Sequence, residues 1–229
     1  MESEQDKYDR FDREAAEWDS KPFIIEWTAL AAKGLPGALG MHPEMSCMEL
    51  GCGTGLLTKD IAPQVHEVLG VDSSEGMMRE FARKAEKHAN MHTACKLITC
   101  PGQLDEHSAA VRGVREGFDL IYSNLTFHHI PEPLEVLKAL RHYLKPGGTV
   151  AVLDFEGDGG EHGQSFHPEF KWPNVAFHGF LPGQLAAWMK EAGYESVEEQ
   201  RLFAIEKSTF NGTSSATFHG LLATAKAPQ

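Results

Sequence analysis

The stretch Met48-Glu49-Leu50-Gly51-Cys52-Gly53-Thr54-Gly55 constrains this chain more than any other. A short apolar run ends in three glycines separated by single residues, and an amphipathic stretch follows at once. Glycine has no Cβ, so such a loop turns sharply and lets a ligand approach the backbone. The helix that follows aims its free amide groups and its dipole at that ligand. A strand, a glycine loop and a helix in this order open a βαβ unit, and such units build a parallel sheet.

The chain keeps that rhythm. Strands are expected at 47–50, 67–71, 95–99, 118–123 and 149–155, with helices near 55–62, 74–89, 103–115 and 132–142 between them. Lys145-Pro146-Gly147-Gly148 stops the last of these helices and turns the chain into the next strand. Ahead of this core, Tyr8, Phe11, Ala15 and Trp18 recur at helical spacing. Pro22 breaks that helix, a second runs over about 23–33, and Gly34, Pro36, Gly37 and Gly40 mark a loop. Behind the core, 156–181 shows no clear period, and a helix over 182–192 follows with Pro182 in its first turn. Strands at 196–205 and 216–226 close the chain around an Asn211-Gly212 turn, which makes them an antiparallel pair at the sheet edge. The expected fold is α/β: a doubly wound, Rossmann-like, seven-stranded and mostly parallel sheet with an antiparallel edge strand and helices on both faces.

Asp72 closes the second strand, about twenty residues beyond the loop, where a carboxylate accepts hydrogen bonds from ribose hydroxyls. The ligand is therefore read as a nucleoside-bearing molecule across the first two strand ends. Dinucleotide folds want GxGxxG, whereas this loop is GxGxG and follows an acid, Glu49. A carboxylate there repels a pyrophosphate and tolerates a zwitterionic amino acid. Spacing and charge together favour S-adenosylmethionine over NAD.

These motifs resemble the class I S-adenosylmethionine-dependent methyltransferases, and within them the type 11, small-molecule-like branch. Glu49 to Gly55, with Gly51, Cys52, Gly53 and Gly55, is similar to the family's first motif, and Gly70-Val-Asp72-Ser73-Ser-Glu-Gly-Met77 to its second. The resemblance implies Asp72 on the ribose and Met77 against the adenine. Phe118 to His129 is similar to the fourth-strand motif, whose end, with Ser123, lies beneath the methionine part of the cofactor, and Leu144-Lys-Pro-Gly-Gly148 to the turn before the fifth strand. The N-terminal Phe11-Asp-Arg-Glu-Ala-Ala-Glu-Trp18-Asp resembles the leading helix that closes over the cofactor, which puts Tyr8, Phe11 and Trp18 there. One departure stands out: the acid usual after the third strand is missing from Thr99-Cys-Pro-Gly-Gln103, so the side-chain carbonyl of Gln103 is the substitute for holding the adenine amino group. The resemblance covers about 46–155 and divides a single domain, 1–229, into a helical cap (1–40), a cofactor-binding core (46–155), an acceptor-covering insert (156–181) and a closing helix and strand pair (182–229).

A sulfonium carries an activated methyl group, so the protein has mainly to align acceptor, methyl and sulfur for in-line displacement, a service worth roughly 7–11 kcal/mol. The product is S-adenosylhomocysteine. A general base is needed only for an acceptor protonated near neutral pH, and His128, His178 and His167 are the candidates. His129 reads as packing beneath the loop. Twelve histidines is many for this length, yet no HxH, HExxH or Cys/His quartet appears, so no metal is expected from spacing. Cys47, Cys52, Cys95 and Cys100 form no CxxC pair and read as reduced thiols of a cytoplasmic chain.

Lys and Arg number 21 against 33 Asp and Glu, a formal charge of −12. Such a surface repels phosphate backbones, and Ser123-Asn-Leu-Thr-Phe127 lacks the Asn/Asp-Pro-Pro-Tyr pattern used on base and amide nitrogens. The acidic opening cannot be a signal peptide, and no apolar run reaches the roughly 20 residues of a membrane span. The expected partner is a small-molecule acceptor, with no nucleic acid and no membrane, for a monomer or homodimer. Two rival readings are a non-catalytic scaffold that binds a partner protein and an NAD-dependent oxidoreductase. Intact glycines with Asp72 speak against the first, and the GxGxG spacing against the second.

Overall fold

The computed structural model describes residues 4–95, 116–168, 172, 175–208 and 215–229. Two helices lead, α1 (Glu4–Trp18) and α2 (Pro22–Ala38). The core then runs β1 (Ser46–Leu50), α3 (Thr58–Ile61) with a 3-10 turn Ala62–Gln64, β2 (Glu67–Asp72), α4 (Glu75–Ala85), β3 (Met91–Cys95) and β4 (Phe118–Asn124). After a 3-10 turn, Phe127–His129, come α5 (Pro133–Arg141), β5 (Leu144–Phe155), α6 (Glu161–Gln164), α7 (Gln184–Glu191), β6 (Glu195–Ser208) and β7 (Ser215–Lys226).

The strands form one sheet in the order β3-β2-β1-β4-β5-β7-β6. Neighbours from β3 to β5 pair parallel, and β7 pairs antiparallel with both β5 and β6. Six strands thus run one way and β7 the other, as an antiparallel pair closing the edge. The order reverses beside β1, so the ends of β1 and β4 open a crevice at the switch point where ligands of such sheets bind.

Both faces of the central strands are buried, as a parallel sheet requires. Met48, Leu69 and Ile121 pack on one face with Val136, Leu137 and Leu140 of α5 and Leu185 and Met189 of α7. Cys47, Val68 and Leu120 pack on the other with Trp27 of α2, Ile61 of α3 and Phe81 of α4. The alternation along β1, Cys47 to one side and Met48 to the other, is the period of two that defines a strand. Asp119 serves structure, its carboxylate accepting from the Ser46 amide at 2.8 Å and from Lys145 at 2.7 Å.

Several boundaries differ from those expected: the helix after the glycine loop is only Thr58–Ile61, α4 ends at Ala85, and α7 begins at Gln184 after Gly183, which leaves Pro182 outside its first turn. The helix α2 continues through Gly34, Pro36 and Gly37 rather than ending before them. A Cβ at Gly34 would stand 3.0 Å from the Leu202 side chain, so this glycine lets α2 lie close on β6. The third strand is Met91–Cys95, four residues earlier than 95–99, because its alternating His92 and Thr93 hide the apolar signal of an edge strand. The fifth strand includes Leu144–Gly148 as well, with an irregularity opposite Phe118 and Leu120. The expected helix over 103–115, Gln103, Cys100 and the Asn211-Gly212 turn lie outside the described residues, as do the side chains of Tyr8 and Cys95. Cys47 and Cys52 are free thiols, both buried. Among the described residues no helix is long and apolar enough to cross a membrane.

Candidate active site

The glycine loop is held to the second strand before any ligand arrives. The amides of Gly51 and Cys52 both donate to the Val71 carbonyl, at 2.7 and 3.2 Å. Gly51 adopts φ +70°, and a Cβ there would meet the Thr126 side chain at 2.2 Å, so only glycine fits. Gly53 has φ +53°, and a Cβ on it would meet nothing nearer than the Met77 sulfur at 3.9 Å. Gly51 and Gly53 line a cavity of about 700 Å³ together with Glu49, Cys52, Asp72, Ser73 and Met77. Gly55 does not line it; a Cβ there would strike Phe81 at 2.6 Å, so this glycine seats the loop on α4.

Asp72 ties the two motif loops together, accepting from the Gly53 amide through Oδ2 and the Ser74 amide through Oδ1, both at 2.9 Å. Burial pushes its carboxyl up, and these amide donors pull it back. Glu49 is 2% exposed, and its Oε2 accepts from Thr58 at 2.5 Å and Tyr122 at 3.1 Å. Burial pushes its pKa up to about 8, against those two hydrogen bonds. Removing water from a carboxylate is costly unless a cation reaches it, and the cavity on which Glu49 borders is where one would come from.

The leading helices roof this cavity through Phe11 and Trp18 of α1 and Ile24 and Thr28 of α2. Two acids of the leading segment fasten α1 to the loops. Asp12 accepts from the Gly76 amide at 2.7 Å and from Ser74 Oγ at 2.5 Å, at the N-terminus of α4 where a negative charge is favoured. Asp19 accepts from Thr54 Oγ1 at 2.5 Å and pairs with Lys84 at 2.6 Å. A Cβ at Gly76 would stand 2.6 Å from the Asp12 Cα, so that glycine permits the close approach.

At the other end Asn124, Leu125, Thr126, His129 and Ile130 line the cavity. Ser123 does not: it is buried within the sheet, and its hydroxyl donates to the Leu50 carbonyl at 2.8 Å. A strand residue points to alternate faces, and Asn124 rather than Ser123 takes the cavity side. The histidines divide in a way that reading by motif position misses. His129 lines the cavity, whereas His128, His167 and His178 do not. His128 is 2% exposed beneath it, with Nδ1 at 2.9 Å from the Asp154 carboxylate. His178 meets the Trp172 ring edge-on, and burial followed by repulsion from His128 lowers its pKa. No described residue of 156–181 lines the cavity; this insert instead docks on the Phe127–His129 turn, the amides of Ala176 and Phe177 donating to the His128 carbonyl.

Residues 48–150 match the model of a methyltransferase domain. Over that stretch the chain carries a methyltransferase domain, on the Rossmann-like class I fold of S-adenosylmethionine-dependent methyltransferases. An uncharacterized methyltransferase of Schizosaccharomyces pombe is 29% identical over 157 residues, 67% of this chain and 55% of that protein. A ubiquinone biosynthesis O-methyltransferase of Pasteurella multocida is 29% identical over 160 residues, 64% of this chain and 63% of that one. The matched stretch thus spans between half and two thirds of these relatives' length. Among solved structures, phosphoethanolamine N-methyltransferase 2 of Haemonchus contortus superimposes with a TM-score of 0.70 at 18% identity, over 100% of this chain and 61% of that one, which establishes the shared fold. S-adenosylmethionine is the cofactor of the family, and the cavity fits it on its own terms. It joins a glycine cradle, a carboxylate at the end of β2, the Met77 side chain and a buried acid at the end of β1. The match to a methyltransferase domain speaks against the NAD reading.

Proposed function

We propose that this chain transfers the methyl group of S-adenosylmethionine to a small organic acceptor. The observation that carries the reading is one cavity of about 700 Å³ that runs from Asp72 and Met77, past the bare backbone of Gly51 and Gly53, to Asn124 and His129. In this reading Asp72 holds the ribose hydroxyls and Met77 and Ser73 flank the adenine. The Gly51–Gly53 backbone and Glu49 receive the methionine end, Glu49 facing its ammonium group, and Cys52 fills the cradle floor. Trp18 and Phe11 close the roof. When bound, the sulfonium supplies an activated methyl group.

What the chain must then do is exclude water and hold the acceptor in line. Asn124, Thr126, His129, Glu132 and Glu135 are the polar groups at that end, set among Leu125, Ile130 and Pro131, and suit a part-apolar molecule carrying a hydroxyl, thiol or amine. His129 replaces His128, His178 and His167 as the side chain placed to take an acceptor proton, since it alone of the four lines the cavity. Relatives named for a ubiquinone-pathway O-methyltransferase and a trans-aconitate 2-methyltransferase support a small oxygen acceptor. One relative is a tRNA carboxymethyltransferase, but the formal charge of −12 here argues against a nucleic-acid acceptor.

The test is turnover. Phenols, carboxylic acids, thiols and amines are presented with S-adenosylmethionine, and S-adenosylhomocysteine release is followed. Release that depends on one acceptor class, falling at least tenfold in Asp72→Ala, supports the reading. Tight cofactor binding with no acceptor-dependent release from any class would favour the scaffold role instead.

A further inference from the structure

Three histidines distant from any metal motif in sequence meet beneath the acceptor end of the cavity, which His129 alone of them lines. His128 and His129 come from the 3-10 turn after β4, and His167 from the insert nearly forty residues on. One ring nitrogen from each lies within 4.8 Å of the others. Ring centroids stand 4.0 Å apart for His128 and His129, 5.1 Å for His128 and His167, and 5.9 Å for His129 and His167.

His128 shows what the cluster lacks. The Asp154 carboxylate, fully buried, sits on its Nδ1 at 2.9 and 3.1 Å. Asp154 is itself fixed by the backbone amides of His128 and Phe155. A carboxylate at Nδ1 keeps the proton on that nitrogen and leaves the lone pair on Nε2. Nε2 is buried and has no hydrogen-bond partner. A buried acceptor without a donor costs free energy, and such a group in a folded chain asks for a ligand. Carboxylate, imidazole and metal in line is the usual outer support of a metal-bound histidine.

We propose that His128, His129 and His167 hold a divalent transition metal, zinc being the best match, with Asp154 as the orienting partner of His128. Three neutral imidazoles and no thiolate or carboxylate ligand suit zinc and disfavour magnesium and calcium, which want oxygen. A tetrahedral zinc with nitrogen ligands at about 2.05 Å separates them by about 3.3 Å, so nitrogens up to 4.8 Å apart have to close by up to about 1.5 Å on binding. Phe155 lies 5.1 Å from the His128 ring and 5.7 Å from that of His167, and Phe11 5.3 Å from that of His129, an aromatic wall that keeps the site dry. Three protein ligands leave a fourth position for the oxygen or sulfur of an acceptor, which would bind there as the anion after losing its proton to solvent, His129 then serving as a ligand and not as the proton acceptor. That last role rests on the methyl-transfer reading; the metal site does not.

The experiment uses the metal-stripped full chain with no methyl donor or acceptor present. Zinc chloride is titrated calorimetrically, and cobalt(II) is added separately for its visible spectrum. The expected result is one zinc per chain, affinity at least tenfold weaker in His167→Ala and in His129→Ala, and a tetrahedral cobalt spectrum without thiolate charge-transfer absorption. Thermal melting shows that each variant is folded, and the cobalt spectrum of the unaltered chain decides the matter if neither is. Zinc binding that is absent, unchanged in both folded variants, or accompanied by a thiolate band would overturn the proposal. Because S-adenosylmethionine affinity is measured apart, a failed metal site leaves the methyl-transfer reading to its own test.

Discussion

At Asp72 a single carboxylate holds the Gly53 and Ser74 amides and still borders the cavity, so it shapes the two motif loops and presents acceptor capacity to a ribose. Replacing Asp72 by Ala removes charge-assisted hydrogen bonds worth about 1.5–3 kcal/mol, and S-adenosylmethionine affinity is expected to fall roughly 10- to 150-fold by calorimetry. An unchanged dissociation constant would remove Asp72 from the site. Glu49 makes a prediction in pH. Its pKa in the folded chain is about 8, raised by burial, whereas an exposed carboxyl titrates near 4.5. Between those values the folded chain holds a proton that the unfolded chain has released, so stability falls as pH rises through this window. Glu49→Gln lacks that loss. Relative to it, the unaltered chain is expected to lose at least about 2–4 °C of melting temperature between pH 5 and pH 9, the shift that roughly 1 kcal/mol gives in a domain of this size. Equal melting shifts for the two would contradict the burial argument. Asp72 and the glycines were legible in sequence because their chemistry is local, one loop and one strand end. Ser123 was misplaced by a single residue, which on a strand is the difference between the core and the cavity. His129 was misassigned because a motif does not say which of two adjacent histidines a 3-10 turn sends into the cavity.

Among the elements, α1 joins the site by contacts that its own pattern does not reveal. Phe11 and Trp18 carry the helical spacing, whereas nothing in that spacing marks Asp12 and Asp19, the acids that seat the helix. Their partners, the N-terminus of α4 and Lys84, are distant in sequence. Adding a Cβ at Gly76 collides with the Asp12 backbone at 2.6 Å, which no side-chain rotation relieves. Gly76→Ala is therefore expected to unseat α1 and weaken S-adenosylmethionine about tenfold, ~1.4 kcal/mol, by calorimetry. Full affinity in this variant would show that α1 is no part of the binding site. The Phe127–His129 turn and the 156–181 insert form the other composite. Periodicity is silent on an insert without period, so neither its docking on the His128 carbonyl nor the delivery of His167 to the histidine cluster followed from spacing.

For the whole molecule, alternation of strands and helices was enough to give a doubly wound sheet, because each parallel strand needs a crossover helix and each helix an apolar face to cover. The antiparallel pairing of β6 and β7 agrees with the expectation drawn from the Asn211-Gly212 turn signal between them. The strand order β3-β2-β1-β4-β5-β7-β6 puts its reversal beside β1, and so puts one cavity where the glycine loop, Asp72 and the β4 end converge. That convergence makes the cofactor the central claim, since every other assignment is laid out from it. The most direct test titrates the purified chain calorimetrically with S-adenosylmethionine and, in a parallel cell, with NAD. The account predicts saturable micromolar binding of S-adenosylmethionine at one site per chain and no heat of binding from NAD. Binding of NAD, or of neither, would contradict it.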